Sequence, residues 1–158
     1  LIIHMAYEWA QRVGDMRTLK WSNIDLTTKT LDLEQSKRRS EVRLPIDDEL
    51  CRMLVEQKDT FGFQQYVAPA VEPQGSAYKP YASGDIHKLV NEVKAAANLP
   101  SDITAMDLRR TGITQLVEGG VDTFGIMQVS GHSNPQSVKP YLVNTLTGAT
   151  NALANRKK

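Results

Sequence analysis

Between Trp21 and Ile46 the apolar residues leave helical spacing and begin to alternate, and this switch of period constrains the fold more than any other feature of the chain. Ile24, then Leu31 and Leu33, then Val42, Leu44 and Ile46 are interleaved with polar residues, as in half-buried strands. Polar breaks at residues 26–29 and 36–40 cut the stretch into three short runs, which predicts a three-stranded antiparallel sheet. Lys37, Arg38 and Arg39 fall in its second turn, with Arg43 just beyond.

Around this sheet the spacing is helical. Ile2, Ile3, Ala6, Ala10, Val13, Arg17 and Leu19 predict one helix over 2–18, weakened by Gly14. Asp47 or Asp48 can cap a helix carrying Leu50, Met53 and Leu54. Clustered glycines and prolines make residues 61–82 a long loop around a short extended Tyr66 and Val67. Ser83 opens a helix with Ile86, Leu89, Val90 and Val93 on one face, stopped before Pro100. Thr104 and Asp107 form a capping pattern for a helix that runs to Gly119 and Gly120. Asp122 opens another, ending at Gly131. Asn134 followed by Pro135 predicts a helix carrying Val138, Tyr141 and Leu142, with Pro140 awkwardly inside it. Leu146, Ala149, Thr150 and Leu153 predict a tail helix. The expected class is mainly α (α+β), a helical domain with one small antiparallel sheet.

Composition narrows the function classes. A length of 158 residues suits one core, and 41% hydrophobic with 23% charged residues is globular. No apolar run approaches the roughly 18 residues of a membrane span, and no secretory leader is evident. One cysteine, Cys51, cannot build a disulfide framework, and three scattered histidines argue against a zinc enzyme. The net charge of +1 decides nothing about nucleic acid. The opening at Leu1, inside an apolar stretch, reads as a piece of a longer protein.

Singly, the polar candidates are ambiguous. Arg12, expected in mid-helix, could simply pair with Asp15 or Glu8. Arg109 and Arg110 at a helix start oppose the helix dipole, which makes sense if an anion comes to the same place. Lys37 could be a solvated turn residue, His132 a neighbour of a helix end, and Tyr141 a core residue.

Together they form a pattern. Arg12, Asp15, Leu19, Trp21 and Ile24 resemble the first conserved box of the tyrosine recombinases, the phage integrase family. Asp107, Leu108, Arg109, Arg110 and Thr111 resemble the second, and Leu116, Gly119, Gly120, Val121 and Ile126 follow in family order. Gly131, His132 and Ser133, with Tyr141 nine residues after the histidine, resemble the last. The resemblance implies the DNA breaking-rejoining fold and a catalytic domain over 1–158, with 144–158 as a C-terminal tail helix. The family's N-terminal core-binding domain is expected outside this stretch. It also implies site-specific DNA recombination or integration through a 3′-phosphotyrosyl intermediate, with no metal or cofactor. Tyr141 would be the nucleophile, and Arg12 and Arg109 would clamp the phosphate. His132 would add a hydrogen bond, and Lys37 would protonate the leaving 5′ oxygen. Asp15 and Asp107 would hold the arginines, while Arg38, Arg39 and Arg110 would meet DNA. The implied partners are double-stranded attachment sites, bound by a homotetramer that associates weakly or is monomeric without DNA. The implied setting is a bacterial or phage-encoded, cytoplasmic protein.

Three departures qualify the resemblance. Met106 stands where the second box usually begins with histidine or lysine, and a thioether moves no proton. Trp9, Ala10 and Gln11 replace the usual Thr-Gly-Leu ahead of the first arginine, and Pro140 directly precedes Tyr141. Met106 keeps open the alternative of a catalytically impaired DNA-binding relative; a type IB topoisomerase-like enzyme that relaxes DNA is a further alternative, although such enzymes usually place lysine or histidine where Met106 stands.

Overall fold

The alternating segment forms the expected sheet. In the computed structural model, which describes residues 1–37, 39–70, 78–142 and 146–156, β1 (Ile24–Asp25), β2 (Thr30–Glu34) and β3 (Glu41–Pro45) pair antiparallel in that order. Leu31 faces Leu44 and Leu33 faces Val42. All four are buried, while Asp32 and Arg43 on the other face pair across the strands at 3.3 Å. Among the described residues there are seven α-helices: α1 (Ile2–Glu8), α2 (Val13–Arg17), α3 (Asp48–Phe61), α4 (Ser83–Ala96), α5 (Ala105–Glu118), α6 (Thr123–Ser130) and α7 (Leu146–Asn155). Among the described residues no helix is long and apolar enough to cross a membrane.

The caps are local and specific. Asp47, not Asp48, accepts from the Leu50 amide at 2.7 Å, and Asp48 and Glu49 complete an acidic first turn for α3. Asp122 caps α6 through the Gly125 amide at 2.7 Å. Tyr66 bridges Lys20, and the Val67 amide donates to the Leu19 carbonyl at 2.9 Å, so the extended pair in the long loop closes against the chain ahead of the sheet.

Two expected helices are corrected. The segment over 2–18 breaks between Trp9 and Arg12, because Ala10 adopts φ 48° and ends α1. The break brings α1 against α5 at Gly112, where a Cβ would meet the Tyr7 carbonyl at 2.9 Å and the Ala10 Cβ at 3.1 Å. After Asn134 the chain makes only two 3-10 turns, Pro135–Ser137 and Lys139–Tyr141. Pro140 supplies no amide proton with which to extend an α-helix. In the tail, α7 packs on α5 of its own chain, and Asn151 donates to the Glu118 carbonyl.

Two apolar clusters result. The larger joins the inner sheet face to α1–α4 through Met5, Trp9, Met16, Leu31, Leu44, Leu50 and Ile86. The smaller gathers Ala10, Ile113, Ile126 and Val138, with Tyr141 packed against it. The polar site lies along the seam between them.

Candidate active site

The buried polar and charged residues among those described are Gln11, Asp15, Gln35, Arg109, Ser130 and His132. They form one connected network, as the cost of burying an unpaired polar group demands. Gln35 continues the inward phase of Leu31 and Leu33 one step past β2. Its Nε2 donates to Gln11 Oε1 at 2.6 Å and to the Ser130 carbonyl at 2.8 Å, and its Oε1 accepts from Arg12 Nη1 at 3.0 Å. Gln11 Nε2 in turn donates to the Trp9 and Val129 carbonyls, both at 2.7 Å. One glutamine side chain therefore ties the strand end to the break after α1 and to the end of α6.

Arg12 is the extended residue that opens α2 rather than a mid-helix residue. Asp15, in the first turn of α2, lies 3.8 Å from Arg12 Nη1 through Oδ2. Its Oδ1 accepts from the Ser36 amide at 3.0 Å and the Ser36 hydroxyl at 2.6 Å. The same carboxylate thus faces Arg12 and anchors the turn carrying Lys37, whose side chain is exposed.

Arg109 points inward from the second turn of α5. Its Nη1 donates to the Ala10 carbonyl at 2.9 Å and its Nη2 to the Ser130 carbonyl at 2.7 Å, fixing the plane of the guanidinium. Burial, and secondly the Arg12 charge, pull the Arg109 pKa down to about 10, against opposing pulls from Tyr141 and Asp15. The group remains cationic at neutral pH. Two guanidinium groups held close in a partly dry site are a receptor for an anion.

Gly131 ends α6 with φ 68°, turning the chain so that His132 reaches the seam. His132 Nδ1 lies 2.7 Å from Ser130 Oγ, and Nε2 lies 3.4 Å from Arg109 Nη2. The His132 and Tyr141 rings stand 5.9 Å apart, centre to centre, at 41°. Tyr141 is half-buried in the second 3-10 turn, where its amide donates to the Val138 carbonyl at 2.9 Å and the buried Val138 anchors the turn. Arg12, Arg109, His132 and Tyr141 are therefore brought together.

Other expected residues fall elsewhere. Asp107 does not hold Arg109: its Oδ2 accepts from the Thr104 amide and hydroxyl at 2.8 Å, and its Oδ1 faces Arg110 at 3.5 Å. These hydrogen bonds hold the Asp107 carboxyl below the usual range. Arg110 is exposed, and Arg39, at φ 54°, pairs with Glu34 at 3.0 Å on the surface. Arg38 lies outside the described residues.

In front of the network is a cleft of about 400 Å³, lined by Arg12, Arg17, His87, Met106 and Arg109 among others. Met106 is 76% exposed there. Sequence reasoning missed His87, which α4 brings into the wall. It also missed Gln11, Gln35 and Ser130. The signal for Gln35 was its phase: a polar residue at the next inward position of an alternating strand needs partners. Among the described residues no three His, Cys, Asp or Glu side chains converge to hold a metal.

The model of the phage integrase family matches residues 1–146, a stretch that includes all of these residues. The chain belongs to the phage integrase family. Solved structures with the integrase fold agree. XerA recombinase matches with a TM-score of 0.79 at 17% identity, over 99% of this chain and 56% of that one. The Tn1549 transposon integrase in complex with a circular intermediate DNA matches at 0.75 and 15% identity, over 99% and 57%. A lambda integrase tetramer bound to a Holliday junction matches at 0.68 and 20%, over 89% and 40%. The chain thus spans about half the length of the integrase structures it matches. No curated protein matches it in sequence.

Proposed function

We propose that this domain carries out metal-independent DNA strand transfer as a site-specific recombinase. One observation carries the reading: Arg12, Arg109, His132 and Tyr141, far apart in sequence, meet at one buried polar seam, with the tyrosine ring against the histidine ring. The phenol oxygen of Tyr141 attacks the scissile phosphorus and the bond to the 5′ oxygen breaks. Arg12 and Arg109 bear the charge that gathers on the non-bridging oxygens. Donors preset toward developing charge are each worth roughly 100- to 1,000-fold in rate. Lys37, on the turn anchored by Asp15 and Ser36, donates a proton to the departing 5′ oxygen. A 5′ hydroxyl from a second duplex then reverses the step, conserving the bond energy. The partners are double-stranded attachment sites, and assembly is as a homotetramer on paired sites.

The exposed thioether of Met106 in the cleft wall favours one competing reading, a relative that holds DNA without cutting it. Trapping on nicked suicide duplexes separates the two. A denaturant-resistant protein–DNA adduct, lost in Tyr141→Phe, is the expected result. No adduct from the wild-type chain, together with retained duplex binding, would establish the binding-only reading.

A further inference from the structure

Two like charges face the cleft from different elements. Arg12 opens α2, Arg109 lies in the second turn of α5, and the charge of one opposes that of the other. Repulsion alone would drive the two guanidinium groups apart.

A neutral bridge sets their spacing instead. Arg12 Nη1 donates to Gln35 Oε1 at 3.0 Å, and Gln35 Nε2 donates to the Ser130 carbonyl at 2.8 Å. Arg109 Nη2 donates to that same carbonyl at 2.7 Å. The Gln35 amide has one orientation open to it, because Arg12 can only donate and the carbonyl can only accept. Its second N–H is taken by Gln11 Oε1 at 2.6 Å, and Gln11 Nε2 is committed to the Trp9 and Val129 carbonyls. Gln35 is wholly buried, so bulk water reaches none of these bonds.

The acid nearest Arg12 is held further off. Asp15 Oδ2 lies 3.8 Å from Arg12 Nη1 and accepts no hydrogen bond, while Oδ1 is taken by Ser36. Arg12 is thus gripped by an amide and only neighboured by a carboxylate. An amide orients a guanidinium without neutralising it, whereas a hydrogen-bonded carboxylate does both.

We infer that Gln35 is a positioning residue: it sets Arg12 against Arg109 through the Ser130 carbonyl, and its neutrality leaves the charge of Arg12 to the substrate phosphate. The inference deepens the strand-transfer reading and rests on it for the consequence in cleavage. Glutamate at position 35 would be nearly the same size but would fail twice. It would take Arg12 as an ion pair, and it would turn an acceptor toward Gln11 Oε1 and the Ser130 carbonyl, which both need donors.

Two measurements test this. In calorimetric titration of the DNA-free chain at constant ionic strength, the wild type should bind sulfate saturably and Arg12→Gln should not. Gln35→Glu should weaken binding by about tenfold or more. Gln35→Met, which fills the space without charge or hydrogen bonds, should weaken it as well, because Arg12 is then free to close on Asp15. Urea midpoints establish that each variant is folded, and if Gln35→Glu does not fold, Gln35→Met decides. Wild-type affinity in either folded variant would overturn the assignment, and so would a wild type that binds no sulfate.

The second is single-turnover adduct formation on suicide duplexes. Gln35→Met should slow it by roughly 100-fold. In the Arg12→Gln background the same change should add little, since Gln35 acts through Arg12. A residue that only supports the fold would slow both backgrounds equally, and that result would overturn the assignment. No adduct from a wild type that binds sulfate would overturn strand transfer, and would leave Gln35 as the residue that sets an anion site.

Discussion

Gln35 fills the space that a side chain at position 131 would need. A Cβ on Gly131 would stand 2.5 Å from Gln35 Nε2, and the glycine also holds φ 68°. The end of α6 can therefore approach the strand end only because residue 131 is glycine, and that approach delivers His132 to the seam. Gly131→Ala should destabilise the fold by roughly 1–3 kcal/mol from strain and overpacking. It should also slow adduct formation, since His132 is displaced. Combining it with Gln35→Ala, which empties the contested space, should cost less than the sum of the two single changes. Urea denaturation of the four chains measures that coupling. Strict additivity would mean that the two residues do not contend for the same volume.

Asp15 carries a second prediction. Its carboxylate is buried, with Ser36 on one oxygen and Arg12 near the other. Asp15→Asn keeps the shape and an oxygen for Ser36 but removes the charge facing Arg12. The expected stability cost is about 1–3 kcal/mol, read from urea midpoints. Adduct formation should fall further than stability explains, because the same residue anchors the Lys37 turn and holds Arg12. A 5′-sulfur leaving group should recover only the part of the defect that belongs to Lys37. Full recovery would show that Asp15 acts on the turn and not on Arg12.

The sequence revealed the period of the chain better than its interruptions. The sheet was legible because Leu31 with Leu33, and Val42 with Leu44, alternate with polar residues, and the caps at Asp47, Asp107 and Asp122 were legible because each acceptor sits three residues from its donor. The break after α1 was not legible. Ala10, Gln11 and Arg12 fit a continuing helix, and only the packing of α1 on Gly112 and the demand for partners around Gln11 make the broken path better. The apparent helix after Asn134 failed for the opposite reason. A strong start signal was present, but Pro140 came too soon for an α-helix to follow. In the site, the charged residues were legible through the boxes that carry them. The neutral ones that hold them, Gln11, Gln35 and Ser130, depend on contacts across nearly the whole chain.

The Asp107 capping box predicts a pH dependence. Hydrogen bonds from Thr104, first from its amide and then from its hydroxyl, depress the Asp107 carboxyl, with a smaller contribution from Arg110. A depressed carboxyl contributes stability that is present above its unfolded value, about 3.9, and is lost as pH falls through the folded value. Acid titration of the wild type should therefore show a loss below about pH 4 that Asp107→Asn lacks. Thr104→Ala should cost about 0.5–2 kcal/mol at neutral pH and return the Asp107 titration, followed by NMR, toward the ordinary range. Identical acid limbs for wild type and Asp107→Asn would mean that the box contributes nothing to folding.

Arg109 makes the last prediction, about anions. Its pKa of about 10 reflects burial first and the Arg12 charge second. For a base whose folded pKa is depressed, the unfolded chain binds more protons between that value and the ordinary guanidinium value. The cost of holding the charge is thus fully present at neutral pH and is relieved only as pH rises past 10. An oxyanion between the two guanidinium groups offsets the same cost without a change of pH. Sulfate should therefore stabilise the wild type specifically, by about 2.7 kcal/mol at 100 times its Kd, which raises the melting temperature by roughly 5–10 °C for a chain of this size. Sulfate also stabilises proteins generally by exclusion from their surfaces, so Arg12→Gln sets the baseline. That variant should keep the general rise and lose the saturable part. Equal, unsaturable rises in both chains would show that the two arginines do not form one anion site.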